Sequence, residues 1–465
     1  MEREKLGSRL GFILLSAGCA IGVGNVWKFP WMAGQYGGGA FVLIYLIFLV
    51  VLGLPVMTME FSLGRASQSS PVMLYQKLQK PGQKWHLHGY AALIANFLLM
   101  MFYSSVTGWI LYYFVSFISG NMTGITNEQS QSLFGSMLSS PAVTVGFMAI
   151  VVVLGFLILS VGLQNGVERV TKYMMILLLL LMVVLAVNSF TLPGAKEGLT
   201  FYLKPDLSKI DGNVIVGAMN QAFFTLSLGI GSMAIFGSYI GKERALMGES
   251  KNILILDTFV AIVAGLIIFP ACFTFDVEPG AGPSLLFVAM AKVFNNMTGG
   301  RWWGSLFFMF MFFAAMSTII AVFESILACV RELTGWGRKK ACIICGVAIL
   351  ILSLPCALGF NLWSEFVPFA SGSSVLDLED FLVSNCFLPI GALCYVLFCV
   401  TKNGWGFKNF MAEANTGEGM KVKKWMKPYM TFVLPAIIVF VFIIGIINFE
   451  FADNFTILNW IKGLV

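Results

Sequence analysis

The stretch Ala17 Gly18 Cys19 Ala20 Ile21 Gly22 Val23 Gly24 Asn25 Val26 Trp27 Lys28 Phe29 Pro30 breaks the middle of the first apolar run with glycine. Glycine weakens a helix by roughly 1 kcal/mol relative to alanine and lets the backbone leave helical geometry. At membrane depth the peptide groups freed in this way must be satisfied by protein or ligand. A second break, Thr225 Leu226 Ser227 Leu228 Gly229 Ile230 Gly231 Ser232, follows five apolar runs later. Corresponding breaks in two halves of a chain point to an inverted repeat with a binding site at the bilayer midplane. Close helix packing through small residues explains glycine alone equally well, so their polar neighbours must decide.

Composition sets the solvent. Of 465 residues, 58% are apolar and only 11% charged, against about 25% charged in soluble domains. Most of the surface must face lipid. The net charge of +6 sits singly between apolar runs rather than in one basic patch, which argues against nucleic acid as a partner. The nine Cys lie in or beside hydrophobic stretches, where a thiol behaves as a small hydrophobe.

Eleven runs have span length. They lie near Arg9 to Gln35, Gly39 to Arg65, Tyr90 to Ile118, Val143 to Gly162, Thr171 to Leu192, Val214 to Tyr239, Ile253 to Phe275, Trp302 to Leu333, Ala341 to Ala357, Leu376 to Cys399 and Tyr429 to Asn448. The expected fold class is an all-α polytopic membrane protein. Residues 1–192 form a cytoplasmic segment and repeat 1, and 193–213 an outer loop. Residues 214–400 form repeat 2, 401–428 a cytoplasmic loop, and 429–465 the last span and an external tail. Lys and Arg cluster around Arg3 to Arg9, Arg65 to Lys84, Lys242 to Lys251, Arg338 to Lys340 and Lys421 to Lys427. That places the N-terminus in the cytoplasm of a cell with this chain in its plasma membrane, and the C-terminus outside. The outer loops are long enough for short helices, for example Pro283 to Phe294. His86 and His88 form a lone His-x-His expected as solvated loop side chains, not a metal site.

The polar neighbours of the breaks are oxygen donors: Asn25, Gln221, Thr225, Ser227, Asp257, Ser317 and Thr318. Such hard ligands suit a dehydrated alkali cation, with sodium the best match. Glu60, Asp257 and Glu324 are ionisable groups within spans, where they are costly and usually functional. Glu60 is placed to accept hydrogen bonds from amides freed by the second break. For Glu324, local pairing that fixes helix register is an equal reading.

These residues resemble a family, the neurotransmitter:sodium symporters, within the bacterial amino-acid branch of LeuT- and MhsT-like carriers. The resemblance rests on Arg9 to Phe12, Ala17 to Pro30, Gly37 to Phe41, Glu60 to Arg65 and Gln221 to Gly229, and it extends over spans 1 to 10. It implies a LeuT-type fold of two inverted five-helix repeats plus one extra helix, with a central substrate and two sodium sites. By the same resemblance, one sodium takes Ala20, Asn25, Thr225, Asp257 and the substrate carboxylate. The other takes the carbonyls of Gly18, Ile21 and Ala314 with the hydroxyls of Ser317 and Thr318. The substrate carboxylate lies by the amides near Gly22 and Gly24 and the Tyr103 hydroxyl. Its side chain meets Leu99, Phe224, Ser227, Ile230, Thr318 and Val322, with Ala20 and Thr225 alongside. Phe224 and Tyr103 close over it, Lys28 and Asp380 form the outer gate, and Arg3 pairs with Glu332 beside Tyr239 at the inner one.

Departures from the family pattern refine the reading. Gly22 stands where amine carriers place an aspartate, so the substrate must bring its own carboxylate. Asp257 stands where chloride-dependent members are neutral, which implies chloride independence. Lys28 replaces an arginine, a point charge in place of a bidentate fork. Gly166 is followed ten residues on by Ile176, where related bacterial carriers have proline. The reading is therefore a sodium-coupled amino-acid symporter for a hydrophobic or aromatic substrate, with no organic cofactor. Proton coupling, or sensing of amino acid and sodium without translocation, are the rival readings. Catalysis is disfavoured because no nucleophile has a positioned base.

Overall fold

The structure is a computed structural model that describes residues 4–122, 127–277 and 285–462. Among these, nine helices are long and apolar enough to cross a bilayer. They correspond to expected spans 2 to 5 and 7 to 11, with ends shifted by a few residues. The largest shifts are at the start of span 5, which begins at Leu163, and of span 7, which begins at Leu246.

The two remaining spans are broken where glycine predicted it. Span 1 comprises Arg9–Ala20 and Gly24–Gln35, bent by 55°, with Ile21 in extended geometry at ψ 99°. Span 6 comprises Gly212–Thr225 and Ser232–Gly237. The longer half reaches only about 21 Å at 1.5 Å per residue, short of the roughly 30 Å hydrocarbon core. Between the halves, Ser227, Gly229 and Gly231 take positive φ of 49°, 98° and 78°. Glycine adopts that region freely, whereas Ser227 is strained there, as residues at functional sites often are.

Spans 1 and 6 lie inside the bundle. The first half of span 1 packs against spans 5, 7 and 8, and the two halves of span 6 against span 2. Spans 4, 5, 9 and 11 form the periphery and expose large apolar side chains such as Val187, Ile351 and Phe432, as a lipid-facing surface requires. Short helices Ala195–Leu203 and Met290–Asn296 occupy the loops between spans 5 and 6 and between spans 7 and 8. The expected helix at Pro283 to Phe294 is thus found from Leu285 onward as a π-helical turn and a helix, and Pro283 and Ser284 lie outside the described residues. A small hairpin pairs Glu450–Ala452 with Phe455–Thr456.

One expectation changes. His86 and His88 are not in a loop: they open the third span, and His88 is packed between aromatic rings. Its Nδ1 shares a 2.7 Å hydrogen bond with the Tyr75 hydroxyl, and its ring meets Tyr395 edge-on. In span 5, Ile176 lies in an unbroken helix, Arg169–Phe190, with its side chain exposed. The irregularity sits earlier, in a π-helical turn at Leu163–Glu168. There Glu168 accepts from Gly7 N at 2.7 Å and Ser8 Oγ at 2.9 Å, pinning the start of the chain to this turn.

Candidate functional site

The first break and span 8 bring a set of oxygens together. Thr318 Oγ1 lies 3.2 Å from Gly18 O, 3.4 Å from Cys19 O, 3.3 Å from Ile21 O and 3.5 Å from Ala314 O. Ser317 Oγ is 3.4 Å from Ile21 O and donates to Ala314 O at 2.9 Å. Two hydroxyl protons face four carbonyls, leaving an excess of acceptors in a buried site. A small cation resolves that excess, and these are hard ligands.

The second set forms around Asp257, which is fully buried. Asn25 Nδ2 donates to Asp257 Oδ1 at 2.8 Å and to its carbonyl at 3.2 Å, while Asn25 Oδ1 accepts from Gly22 N at 3.1 Å. Thr225 Oγ1 lies 3.5 Å from Asp257 Oδ2. Among the described residues no Lys or Arg forms an ion pair with this carboxylate. A buried carboxylate of this kind calls for a cation. Gln221 Nε2 braces the pair of breaks by donating to Gly24 O at 2.9 Å.

Between the two sets is a cavity of about 20 Å³ lined by Ala20, Gly22, Gly24, Leu99, Tyr103, Phe224, Thr225, Ser227, Ile230 and Thr318. Val322, expected with them, is fully buried in the core one turn further along span 8 and does not line it. Cys19 and Leu388 do line it and were not anticipated. A leucine in an apolar span carries no sequence mark that separates a cavity wall from a lipid-facing position. Tyr103 accepts from Val23 N at 2.8 Å, and a Cβ added at Gly22 would collide with this hydroxyl and sit 2.6 Å from Thr318 Oγ1. A side chain at that position would have to displace both hydroxyls.

Above the cavity, Lys28 Nζ lies 3.9 Å from Asp380 Oδ2 and 3.9 Å from the centre of the Phe224 ring. Asp380 is further oriented by Ser384, which donates at 2.6 Å. On the opposite side, Arg3 lies outside the described residues. Glu332 accepts from Ser70 Oγ at 2.6 Å, and the Tyr239 hydroxyl donates to Glu324 Oε1 at 2.9 Å. Glu324 is held by Arg338, which also reaches Glu4 at 3.2 Å, and Arg331 pairs with Glu4 at 2.7 Å. Local pairing is thus the observed role of Glu324, and this inner network around Glu4 and Arg338 was not anticipated. Glu60 is where the sequence placed it, accepting from Gly229 N at 2.6 Å.

The model of the sodium:neurotransmitter symporter family matches residues 3–132 and 131–464. The chain belongs to that family. It is 36% identical to YhdH of Bacillus subtilis, an uncharacterized sodium-dependent transporter, over 95% of this chain and 98% of that one. It is 33% identical to an uncharacterized sodium-dependent transporter of Haemophilus influenzae, again over 95% and 98%. Among solved structures, MhsT in complex with L-phenylalanine superposes with a TM-score of 0.86 and 36% identity, covering 96% of this chain and 100% of that one. The symporter is therefore a multi-pass, all-α membrane protein of LeuT-type fold, a sodium-dependent transporter rather than an enzyme.

Proposed function

We propose that this symporter imports a hydrophobic or aromatic L-amino acid by alternating access, with two sodium ions per substrate and no chloride requirement. The observation that carries this reading is the convergence of Gly18, Ile21 and Ala314 carbonyls on Thr318 Oγ1, beside a second oxygen set built on Asp257. One sodium takes Ala20, Asn25, Thr225 and Asp257; the other takes Gly18, Ile21, Ala314, Ser317 and Thr318. The fixed charge of Asp257 balances its sodium, the role chloride serves where that position is neutral.

The substrate carboxylate completes the first sodium shell and meets the Tyr103 hydroxyl. An amine without a carboxylate lacks both contacts, and Gly22 supplies no acid to replace it. The substrate side chain faces Leu99, Phe224 and Ile230, so an apolar one is favoured; the phenylalanine bound to MhsT is of this class. A cavity of about 20 Å³ holds a water or so by the same measure, so substrate binding moves the walls apart. Closure then brings Lys28 and Asp380 together above it, and the Glu324–Arg338–Glu4 network seals the other side. The chain's start faces the cytoplasm in this reading.

Each inward sodium yields about 2.3 kcal/mol per 100 mV and about 1.4 kcal/mol per tenfold gradient. Two ions sustain roughly a 10⁵-fold gradient of a zwitterion, and one only several hundredfold. Uptake of labelled L-phenylalanine into proteoliposomes under an imposed sodium gradient tests the reading. Accumulation that collapses with the gradient supports it. Uptake driven equally by a pH gradient without sodium points to proton coupling, and binding without sodium-driven counterflow points to a sensor.

A further inference from the structure

Span 10 approaches the second break closely enough that their backbones touch. A Cβ added at Gly229 would strike the Leu388 carbonyl, and one added at Gly391 would strike the Gly229 carbonyl. Glycine at both positions therefore serves close approach as well as geometry. Span 10 reaches this contact through a π-helical segment, Phe381–Phe387, that ends immediately before Leu388. Leu388 is buried and turns into the central cavity beside Ser227 and Ile230.

The neighbouring residues face elsewhere. Phe387, Ile390 and Gly391, with Gly229, line a separate apolar cavity of about 150 Å³ on the other side of the same contact. Leu388 thus lines the central cavity only, its carbonyl locked against Gly229.

We infer that Leu388 is a specificity-determining residue of the symporter, a buried wall of the central cavity whose bulk limits the length of the substrate side chain. The inference rests on the amino-acid reading proposed above. Shortening Leu388 enlarges the central cavity that it lines and admits larger side chains; enlarging it excludes them. Size discrimination in an apolar pocket is worth about 10- to 200-fold per methylene-scale change, so the effect is measurable as a ratio.

The test is competition of L-tryptophan and L-leucine for sodium-dependent binding to the purified full-length protein, in wild type, Leu388→Ala and Leu388→Phe. The tryptophan-to-leucine affinity ratio rises about tenfold or more in Leu388→Ala and falls by a similar factor in Leu388→Phe. A ratio unchanged in both, or a uniform loss for both amino acids, overturns the inference. Should Leu388→Ala not yield folded protein, Leu388→Val reads the same ratio with the same sign. Failure of the wild type to bind either amino acid would count against the amino-acid reading itself, a separate result.

Discussion

Asn25 donates from Nδ2 to Oδ1 of Asp257 at 2.8 Å, tying the break of span 1 to the middle of span 7. The same asparagine holds the amide of Gly22 through its own Oδ1. One side chain thus links a buried carboxylate to the backbone that faces the central cavity. On the proposed assignment, sodium bound beside Asp257 would be felt at the substrate cavity, and linkage would make the effect reciprocal.

Replacing Asp257 with alanine should remove the charge that holds this sodium. Losing one partner of a buried charge pair costs about 3–5 kcal/mol, more than a 100-fold change. Sodium titration of scintillation-proximity binding should show loss of the saturable phase. An unchanged sodium affinity would take Asp257 out of the site.

If, as proposed, Asp257 supplies the negative charge that balances its sodium, replacing chloride with gluconate should leave uptake within about twofold of its starting rate. Loss of most uptake would mean that an external anion balances the sodium charge. The comparison is simple in proteoliposomes, where both compartments can be made free of chloride.

Thr318 contacts carbonyls from both span 1 and span 8, so Thr318→Ala should raise the half-saturating sodium concentration roughly tenfold, about 1.4 kcal/mol. Thr318→Ser keeps the hydroxyl and should restore most of the affinity. An equal loss in both variants would assign the effect to packing of the methyl group.

Glu60 is a brace of the second break, through its 2.6 Å bond from Gly229 N. Glu60→Ala leaves a buried amide without its acceptor, at about 1–3 kcal/mol, and should lower the thermal unfolding midpoint. Glu60→Gln retains an acceptor and should lower it less. Equal midpoints in wild type and Glu60→Ala would show that the break does not depend on this acid.

The breaks themselves were legible because glycine clusters at membrane depth are conspicuous against an apolar background, and the structure bends or unwinds the chain at Ile21 and at Ser227. The oxygen donors beside them were legible for the same reason. Partners chosen by tertiary packing were not. His88 looked like a loop residue until span 3 was seen to begin at His86. Leu388 looked like any span leucine, because nothing in an apolar run marks which face a close backbone contact with Gly229 will turn inward. Arg338 stood in a basic cluster that reads as an orientation signal, yet it is drawn inward to Glu324. The Lys28 and Asp380 pair, just over 350 residues apart, was placed by family resemblance and not by spacing, and they meet at 3.9 Å.

The proposed transport depends on two alkali-ion sites that share their backbone with the amino-acid cavity. Its most direct test is equilibrium binding of labelled L-phenylalanine to the purified protein, with sodium exchanged for potassium at constant ionic strength. The account predicts saturable binding in sodium, steeper than first order in the ion, and at least 100-fold weaker binding in potassium. Equal affinity in the two salts would contradict it.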